Sequence, residues 1–450
     1  MGKEKAIHYV CSHCGHVETK WLGRCPECGS WNTFEEEAIK PQVDTTKVAV
    51  MSSGVAPVAL GEVQVDPGYR FFTGISELDR VLGGGVMKGS ATLIGGEPGI
   101  GKSTLMLQMA ALCGQHASVL YISGEESPGQ VKLRAERLHL DMAHISIFCD
   151  TRLEVLQPIL EKAKPQIVII DSLQTLLSSE IPSPAGSVNQ IRACSTALVG
   201  LSKQLGVSLF LVGHITKEGV LAGPKVIEHL VDTVLSFEET GSGIRMLRAL
   251  KNRFGSVDEL GIFLMGERGL EAVEEPSSFF ISQRAGKVAP PGIAYTAVTE
   301  GSRTFVVEIQ ALTVSAKSGY SRVYSDRIDT ARVMRVSAIL EKHAGLALGQ
   351  TDIYVNVGGG IKLGEVSIEL PLALALWSAY RGVSLPSKLV SFGELSLAGE
   401  IRPVGFAPKR VKAAMEMGFE QMLVPKGTKL GKVTNCQIAA TMQEAIQKLS

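Results

Sequence analysis

The fold of this chain is decided by one stretch, Leu93-Ile94-Gly95-Gly96-Glu97-Pro98-Gly99-Ile100-Gly101-Lys102-Ser103-Thr104. From Gly96 to Ser103 it reads G-x-x-x-x-G-K-S, the pattern of a phosphate-binding loop. An apolar run precedes it and apolar residues at helical spacing follow it, so we expect the glycines to lie between a strand and a helix. In such a loop backbone N–H groups converge on phosphate oxygens, Lys102 reaches the β- and γ-phosphates, and the Ser103 hydroxyl binds Mg²⁺. The sequence therefore predicts a nucleoside triphosphate site formed by Gly95, Gly96, Glu97, Pro98, Gly99, Ile100, Gly101, Lys102, Ser103 and Thr104.

The composition is that of a globular protein with balanced charge. The 450 residues include 45 basic and 45 acidic side chains, so any binding of nucleic acid must depend on local basic surface. The N-terminus has no apolar core of a signal peptide, and no uncharged run reaches the roughly 18 residues of a membrane helix. We therefore expect a cytoplasmic protein without a membrane segment, in which cysteines are metal ligands more often than disulfides.

Four of the eight cysteines form two C-x-x-C pairs near the N-terminus. Each pair can present two thiolates to one metal ion, and four sulfur ligands favour a closed, tetrahedral, structural Zn²⁺ site. The predicted zinc ligands are Cys11, Cys14, Cys25 and Cys28. Two tryptophans, Trp21 and Trp31, flank the second pair. Either they cover the small metal-centred core, which we favour, or they contact DNA or a partner.

The next part of the chain alternates strands with helices, which predicts a parallel α/β sheet. Ser76 is the expected N-cap of a short helix over 77–82. The strand predicted over 119–122 leads into Glu125 and Glu126, and acidic residues at such strand ends point into the ligand crevice of the sheet. Either carboxylate is a candidate for polarising the attacking water.

Two further strands end in candidate site residues. The run over 166–170 ends in Asp171, a carboxylate suited to organising Mg²⁺ beside the phosphate loop. The run over 207–212 is followed by His214, which either senses the γ-phosphate or is an ordinary core histidine. Beyond a strand over 245–250, Lys251 and Arg253 stand two residues apart, so in an extended segment they project to the same side.

Several motifs in this order resemble the bacterial RadA (Sms) DNA-repair family. They are the phosphate loop, Thr73-Gly74-Ile75-Ser76-Glu77-Leu78-Asp79-Arg80, Ser123-Gly124-Glu125-Glu126-Ser127, Gly213-His214-Ile215-Thr216-Lys217-Glu218-Gly219, the signature Lys251-Asn252-Arg253-Phe254-Gly255, and the four N-terminal cysteines. The resemblance implies a RecA-like ATPase core, related to hexameric replicative helicases, that uses ATP/ADP with Mg²⁺. It implies ATP-driven movement on single-stranded and branched DNA, branch migration of recombination intermediates, and partnership with a RecA-type recombinase.

The resemblance also implies roles for individual residues. By comparison with the related helicases, Glu125 rather than Glu126 is the catalytic glutamate. Lys251 and Arg253 resemble the paired cations with which ring helicases reach the γ-phosphate of a neighbouring subunit. The alternative for this pair is a basic strand end that meets solvent.

The C-terminal third is similar to the Lon-protease-like domain that closes RadA proteins. We expect a strand over 304–309, a helix over 326–343, and a basic region that suits phosphate contacts or is simply a solvated face, with Lys317, Arg322, Arg327, Arg332 and Arg335 beside Tyr320 and Tyr324. Lon enzymes use a serine activated by a lysine. Ser367 aligns near the nucleophile, whereas Pro408 falls where the lysine belongs, with Lys409 next to it. We expect a scaffold for oligomerisation and DNA binding.

These inferences predict a zinc ribbon over 1–35, a linker over 36–68, a RecA-like α/β ATPase domain over 69–275 and an α+β Lon-like domain over 276–450. The function we expect is that of a hexameric, DNA-stimulated ATPase of recombinational repair. The alternatives are an ATP-dependent Lon-like protease and an ATP-gated scaffold that is not a motor.

Overall fold

A computed structural model describes residues 7–11, 16–27, 29–38, 59, 61, 69–214, 225–240, 243–257, 259–282, 288–316, 321–430 and 435–449. The chain divides into two compact units. The first contains the residues up to Glu238 together with Arg245–Ala272, and the second contains Glu239–Ile244 and Val273 onward. The predicted zinc ligands Cys14 and Cys28, the residues after His214 in its motif, Lys317 and Tyr320 lie outside the described residues.

The first unit is built on a long sheet with strand order β14-β13-β12-β11-β6-β10-β9-β7-β8. Its elements are β4 (Arg70–Phe71), α1 (Ser76–Val81), β5 (Val86–Met87), β6 (Ala91–Gly96), α2 (Lys102–Gly114), β7 (Val119–Ser123), α3 (Pro128–Arg137), β8 (Ile145–Phe148), α4 (Leu153–Ala163), β9 (Ile167–Asp171), α5 (Val188–Leu205), β10 (Ser208–His214), α6 (Lys225–Leu230), β11 (Thr233–Glu239), β12 (Ile244–Asn252), β13 (Leu260–Gly266) and β14 (Gly269–Ala272).

The centre of this sheet is parallel, as the sequence predicts. Strands β11, β6, β10, β9, β7 and β8 pair in parallel, and β13 pairs with β14 antiparallel. Every residue of β6, β7 and β9 is buried, because helices cover both faces of a parallel sheet. The carboxyl ends of β6, β7, β9 and β10 consequently meet at one edge.

One local prediction is wrong. Ser76 is the first residue of α1 rather than its N-cap, because Ile75 occupies the cap position with an extended backbone and no side-chain cap. The helix ends at Val81, one residue before the predicted end at Leu82, and Gly83 just beyond takes a positive φ of 82°. A backbone in that region favours glycine.

The N-terminal residues form a small antiparallel sheet with order β2-β1-β3, from β1 (Ile7–Cys11), β2 (Val17–Glu18) and β3 (Phe34–Ala38). Its apolar core contains the buried Cys11, Cys25 and Phe34. Our favoured prediction for the tryptophans is wrong, since Trp21 is 52% and Trp31 68% exposed. The Cys thiols and Phe34 fill a core too small for two indole rings.

The second unit carries a sheet with order β17-β18-β16-β15-β19-β22-β23. Its elements are α7 (Ser277–Phe280), β15 (Ile293–Glu300), β16 (Arg303–Ser315), β17 (Val323–Ser325), α8 (Thr330–Ala344), β18 (Thr351–Val357), α9 (Glu369–Arg381), β19 (Leu389–Ser391), β20 (Glu394–Leu395), β21 (Ile401–Arg402), α10 (Ala407–Glu416), β22 (Gln421–Pro425), β23 (Cys436–Ala439) and α11 (Met442–Gln447).

Helix α8 begins later than the pattern of the sequence suggested, at Thr330. The Asp329 side chain caps it by accepting a hydrogen bond from the Arg332 N–H. In the part of the chain that the structure describes, no helix is long and apolar enough to cross a membrane.

Candidate functional site

The predicted phosphate loop connects the buried strand β6 to helix α2. A Cβ atom at Gly96 would lie 2.7 Å from the carbonyl oxygen of Phe237, so only glycine fits there. Gly101 is the N-cap of α2 with a φ of 111°, a conformation that favours glycine. The loop therefore ends at the positive end of a helix dipole, which favours phosphate.

Lys102 begins α2 and folds its side chain back over the loop. Its Nζ donates to the carbonyl oxygens of Gly96 at 2.8 Å and Glu97 at 2.9 Å, and the residue is only 4% exposed. Burial lowers the pKa of Lys102, while the charges of Asp171 and Glu125 act in the opposite direction. Lys102 follows β6, Asp171 ends β9 and Glu125 follows β7, so all three lie at the edge where the carboxyl ends of these parallel strands meet.

Asp171 ends β9, directly opposite Ser123 at the end of β7. Its carboxylate is buried, and the Tyr121 hydroxyl donates to its Oδ2 at 2.7 Å. Carboxylate and hydroxyl oxygens are the donors that Mg²⁺ prefers, so Asp171 and Ser103 suit that ion chemically.

The two adjacent glutamates, Glu125 and Glu126, have different surroundings. Glu125 is exposed and accepts a hydrogen bond from the Ser172 hydroxyl, beside Asp171. Glu126 forms an ion pair with Arg134. Glu125 is therefore the carboxylate that lies next to the Asp171 strand end.

His214 ends β10, which lies between β6 and β9. Its backbone pairs in register with Gly96, the first glycine of the loop motif. Its side chain lies outside the described part of the structure, so its role as a γ-phosphate sensor stays a prediction.

Lys251 and Arg253 lie near the opposite edge of the sheet. The Lys251 ammonium donates to the carbonyl oxygens of Glu228 at 2.6 Å and Val231 at 2.8 Å. Arg253 forms an ion pair with Asp232 at 3.3 Å. Both cations thus contact one short segment, in agreement with the expected projection to the same side.

Asp232 connects this edge to the strand of the phosphate loop. Its Oδ2 accepts the Ala91 N–H at 3.1 Å, and Ala91 is the first residue of β6. Five residue steps along β6, about 17 Å, separate that point from Gly96. The pair Lys251 and Arg253 and the phosphate loop therefore lie at opposite ends of the same strand.

The described part of the zinc site fits a metal-binding turn. Cys11 and Cys25 are both buried. The Cys25 N–H bonds the Ser30 carbonyl at 2.8 Å, and the Gly29 N–H bonds the Cys25 carbonyl at 2.9 Å. Such a tight turn presents a thiolate inward, as a C-x-x-C zinc ligand pair requires.

In the second unit, Ser367 does not face the residues that the sequence pointed to. Pro408 and Lys409 are exposed, and the Lys409 ammonium lies 5.5 Å from the Phe406 ring centre. Instead the buried Arg410 donates to the Ser367 Oγ at 3.1 Å. Pro408, which the alignment placed at the lysine position, thus lies on the exposed side of α10, and Arg410 is the residue that this helix directs toward Ser367.

Arg410 is itself held by a carboxylate. Its guanidinium makes a two-pronged ion pair with Glu365, at 2.8 and 2.6 Å, and donates to the carbonyl oxygen of Ala297 at 2.5 Å. A guanidinium stays charged in proteins and cannot act as a general base. The side chain that contacts the Ser367 hydroxyl is therefore a cation and not a base.

Two arginines of the predicted DNA-binding region serve the fold. Both Arg332 and Arg335 form ion pairs with the buried Glu369. Arg332 also donates to the carbonyl oxygens of Gly364 at 2.8 Å and Glu365 at 2.9 Å. In this unit they cover a buried charge, so neither guanidinium is simply part of a solvated face.

Sequence reasoning missed Tyr121, Asp232 and Arg410. In the sequence Tyr121 is one more residue of an apolar strand. Its contact with Asp171 depends on the pairing of β7 with β9. For Arg410 a signal existed, since Ala407, Arg410, Val411 and Ala414 recur at the spacing of a buried helix face.

Comparisons with known proteins match three parts of the chain. Residues 9–36 match a rubredoxin metal-binding domain, residues 62–220 match an AAA domain, and residues 326–428 match subunit ChlI of Mg-chelatase. The middle match contains the phosphate loop, Glu125 and Asp171, and it identifies an AAA-type ATPase domain.

Relatives match over nearly the whole length. "DNA repair protein RadA" of Treponema pallidum (strain Nichols) is 51% identical over 428 residues, which cover 95% of this chain and 93% of the relative. The protein of the same name from Bacillus subtilis (strain 168) is 44% identical, with 94% and 93% covered. The one from Aquifex aeolicus (strain VF5) is 42% identical over the full length of both chains. This chain therefore belongs to the RadA family of DNA-repair proteins.

Proposed function

We propose that this protein is a DNA-stimulated, ATP-driven motor of recombinational repair, which moves along single-stranded and branched DNA and promotes branch migration. One observation carries the proposal. Lys102, Glu125 and Asp171 lie at one edge of the sheet, whereas the cations Lys251 and Arg253 lie at the other, about 17 Å away along β6. In a ring of subunits, this arrangement lets the cations of one subunit reach the nucleotide bound by the next.

In this proposal each group at the phosphate edge has one task. The loop N–H groups and Lys102 bind the β- and γ-phosphates, and Glu125 polarises the attacking water. Asp171 and the Ser103 hydroxyl hold Mg²⁺, which neutralises the charge that develops on the phosphate oxygens. The backbone register of His214 with Gly96 supports a sensor of the γ-phosphate at that position.

The cations at the opposite edge act on the nucleotide site of the neighbouring subunit. Lys251 and Arg253 reach the γ-phosphate held by the next protomer, where they stabilise charge in the transition state. Hydrolysis then depends on assembly, which supports a homo-oligomer, with a hexamer as the state we propose. The contact is heterologous, and such contacts close into rings when the rotation allows.

The remaining parts complete the proposal. Residues 1–35 bind Zn²⁺ through Cys11, Cys14, Cys25 and Cys28 and meet a RecA-type recombinase. The linker over 36–68, the motor over 69–275 and the C-terminal domain over 276–450 stay as predicted divisions. The C-terminal domain is a scaffold without peptidase activity, which the contact of Arg410 with Ser367 supports.

The test is the rate of ATP hydrolysis with and without single-stranded DNA. A motor hydrolyses faster with DNA and displaces an annealed strand from a branched substrate. An ATP-gated scaffold that hydrolyses slowly and ignores DNA would contradict the proposal. So would ATP-dependent cleavage of casein that is lost on Ser367→Ala, since it would indicate a protease.

A further inference from the structure

Tyr121 reaches the site from the interior of the sheet. It lies on β7 opposite Ile169 of β9, and Asp171 is the next residue along β9 on the same face. The diagonal neighbour across a pair of strands is within reach of a long aromatic side chain. The Tyr121 hydroxyl accordingly donates to the Asp171 Oδ2 at 2.7 Å, and both residues are buried.

The two groups themselves fix the direction of this hydrogen bond, because a phenol O–H donates and an ionised carboxylate only accepts. The ring itself lines an apolar cavity with Leu107, Val131 and Ile145. The hydroxyl is thus the polar end of an otherwise apolar side chain, and Asp171 is its acceptor.

A buried carboxylate at a strand end needs partners to compensate for lost water. With Oδ2 held by Tyr121, the other oxygen, Oδ1, is the one that can turn toward the nucleotide. Rotation of the carboxylate about its last bond would break the bond to Tyr121. The hydroxyl therefore selects one orientation of the Asp171 carboxylate.

We propose that Tyr121 is a positioning residue for nucleotide binding, which holds Asp171 so that its second oxygen faces the Mg²⁺ of the bound nucleotide. The inference rests on the proposed role of Asp171 and concerns a residue to which that proposal gives no role. Partners that orient a metal-binding carboxylate typically change metal affinity about 10- to 100-fold when they are removed.

The experiment uses the full-length protein with Tyr121→Phe, which keeps the ring in its cavity and removes the hydroxyl. Binding of a fluorescent ADP analogue is measured across a Mg²⁺ titration and in EDTA. We expect the Mg²⁺ concentration for half-maximal tight binding to rise about tenfold, with affinity in EDTA unchanged. The control is Tyr295→Phe, the same change at a buried tyrosine of the second unit, which should leave both affinities unchanged.

Asp171→Asn and the double variant separate the possible failures. If Tyr121 acts through Asp171, then Tyr121→Phe has no further effect on the Mg²⁺ midpoint in the Asp171→Asn background. A wild-type Mg²⁺ midpoint in Tyr121→Phe, with a shifted one in Asp171→Asn, would overturn the inference and leave the proposed site intact. A wild-type midpoint in Asp171→Asn would instead contradict the proposed role of Asp171. Should Tyr121→Phe weaken binding equally in EDTA, the hydroxyl would be structural and the inference wrong.

Discussion

Replacing Arg253 by alanine should abolish hydrolysis while leaving the fold and nucleotide binding intact. In its own chain Arg253 is about half exposed and pairs with Asp232 at 3.3 Å. Lys203 pairs with the same carboxylate oxygen at 3.1 Å, and the Ala91 N–H bonds the other oxygen. Asp232 therefore keeps two partners after the substitution.

The expected effect of Arg253→Ala on stability is much smaller than its expected effect on the rate of hydrolysis. Asp232 is buried, but Arg253 is half exposed and the carboxylate keeps two other partners, so loss of this ion pair should lower the free energy of unfolding by only about 1 kcal/mol. An arginine that stabilises a phosphoryl transition state contributes roughly three to five orders of magnitude in rate. Three orders correspond to about 4 kcal/mol in the activation barrier. Loss of the pair with Asp232 is thus too small to explain a loss of that size.

The assay compares Arg253→Ala with Lys203→Ala, a matched control that removes a cation from the same carboxylate. Both variants should melt near the wild-type temperature and bind a fluorescent ATP analogue normally. Only Arg253→Ala should lose turnover in saturating single-stranded DNA. Equal loss in both variants would indicate that hydrolysis depends on the charge around Asp232, and not on contact of Arg253 with a neighbouring subunit's nucleotide.

An experiment with mixed subunits tests whether Arg253 acts on the nucleotide of a neighbouring subunit. In an equal mixture of Arg253→Ala and Lys102→Ala chains, roughly a quarter of the interfaces of a ring join an intact loop to an intact Arg253. Activity should therefore return in part. If every mixture stays inactive although subunit exchange is demonstrated, Arg253 does not act between subunits.

Four further outcomes are expected. Lys102→Ala should end ATP hydrolysis, measured as phosphate release; the buried ammonium also holds two loop carbonyls, so a modest drop in melting temperature should accompany the loss. Cys28→Ser should release one Zn²⁺ per chain, measured with a chromogenic chelator, and increase proteolysis of only the first forty or so residues, since structural zinc is coupled to local folding; retained zinc would contradict the four-sulfur site. Ser367→Ala should leave DNA-stimulated ATPase unchanged, whereas Arg410→Ala should lower the free energy of unfolding by about 3 kcal/mol, because it leaves a carboxylate without its buried partner; equal stability of the two variants in urea would contradict this. Burial raises the pKa of Cys113 to about 12, so at pH 8 a thiol reagent should modify it only after denaturation, and labelling of the native protein at that site, read by mass spectrometry, would disagree with the fold.

The phosphate edge could be predicted because its information is local or topological. The loop motif is contiguous, and Asp171 follows a short apolar run rich in β-branched residues, which is typical of a buried strand. Where two adjacent residues have the same side chain, the residues of the sequence alone do not predict which of them lies in the site. Glu125 and Glu126 are one residue apart. Their difference comes from Ser172, 47 residues beyond Glu125, and from Arg134 in the following helix α3, eight residues beyond Glu126.

In the small N-terminal sheet, burial could not be predicted from hydrophobicity. Composition suggested that the tryptophans cover the metal site, since large apolar residues are mostly buried. With so few residues, however, two thiols and Phe34 already fill the core. Trp31 instead lies under the Arg24 guanidinium, 5.7 Å from the ring centre. Hydrophobicity cannot predict burial where the core is smaller than the side chain.

The orientation of helix α10 decides which of its side chains meets Ser367, and so bears on peptidase activity. Positions 409 and 410 differ by a rotation of about 100° around the helix axis, so they cannot face the same partner. Lys409 lies over Phe406 on the exposed face, and the buried face carries Arg410. A Ser–Lys dyad needs an amine that can lose its proton, whereas a guanidinium paired with Glu365 keeps its charge and uses Ser367 only as an acceptor. The face of α10 that meets Ser367 is therefore occupied by an ion pair that stabilises the domain, and no shift of the alignment by one residue brings a base to the serine.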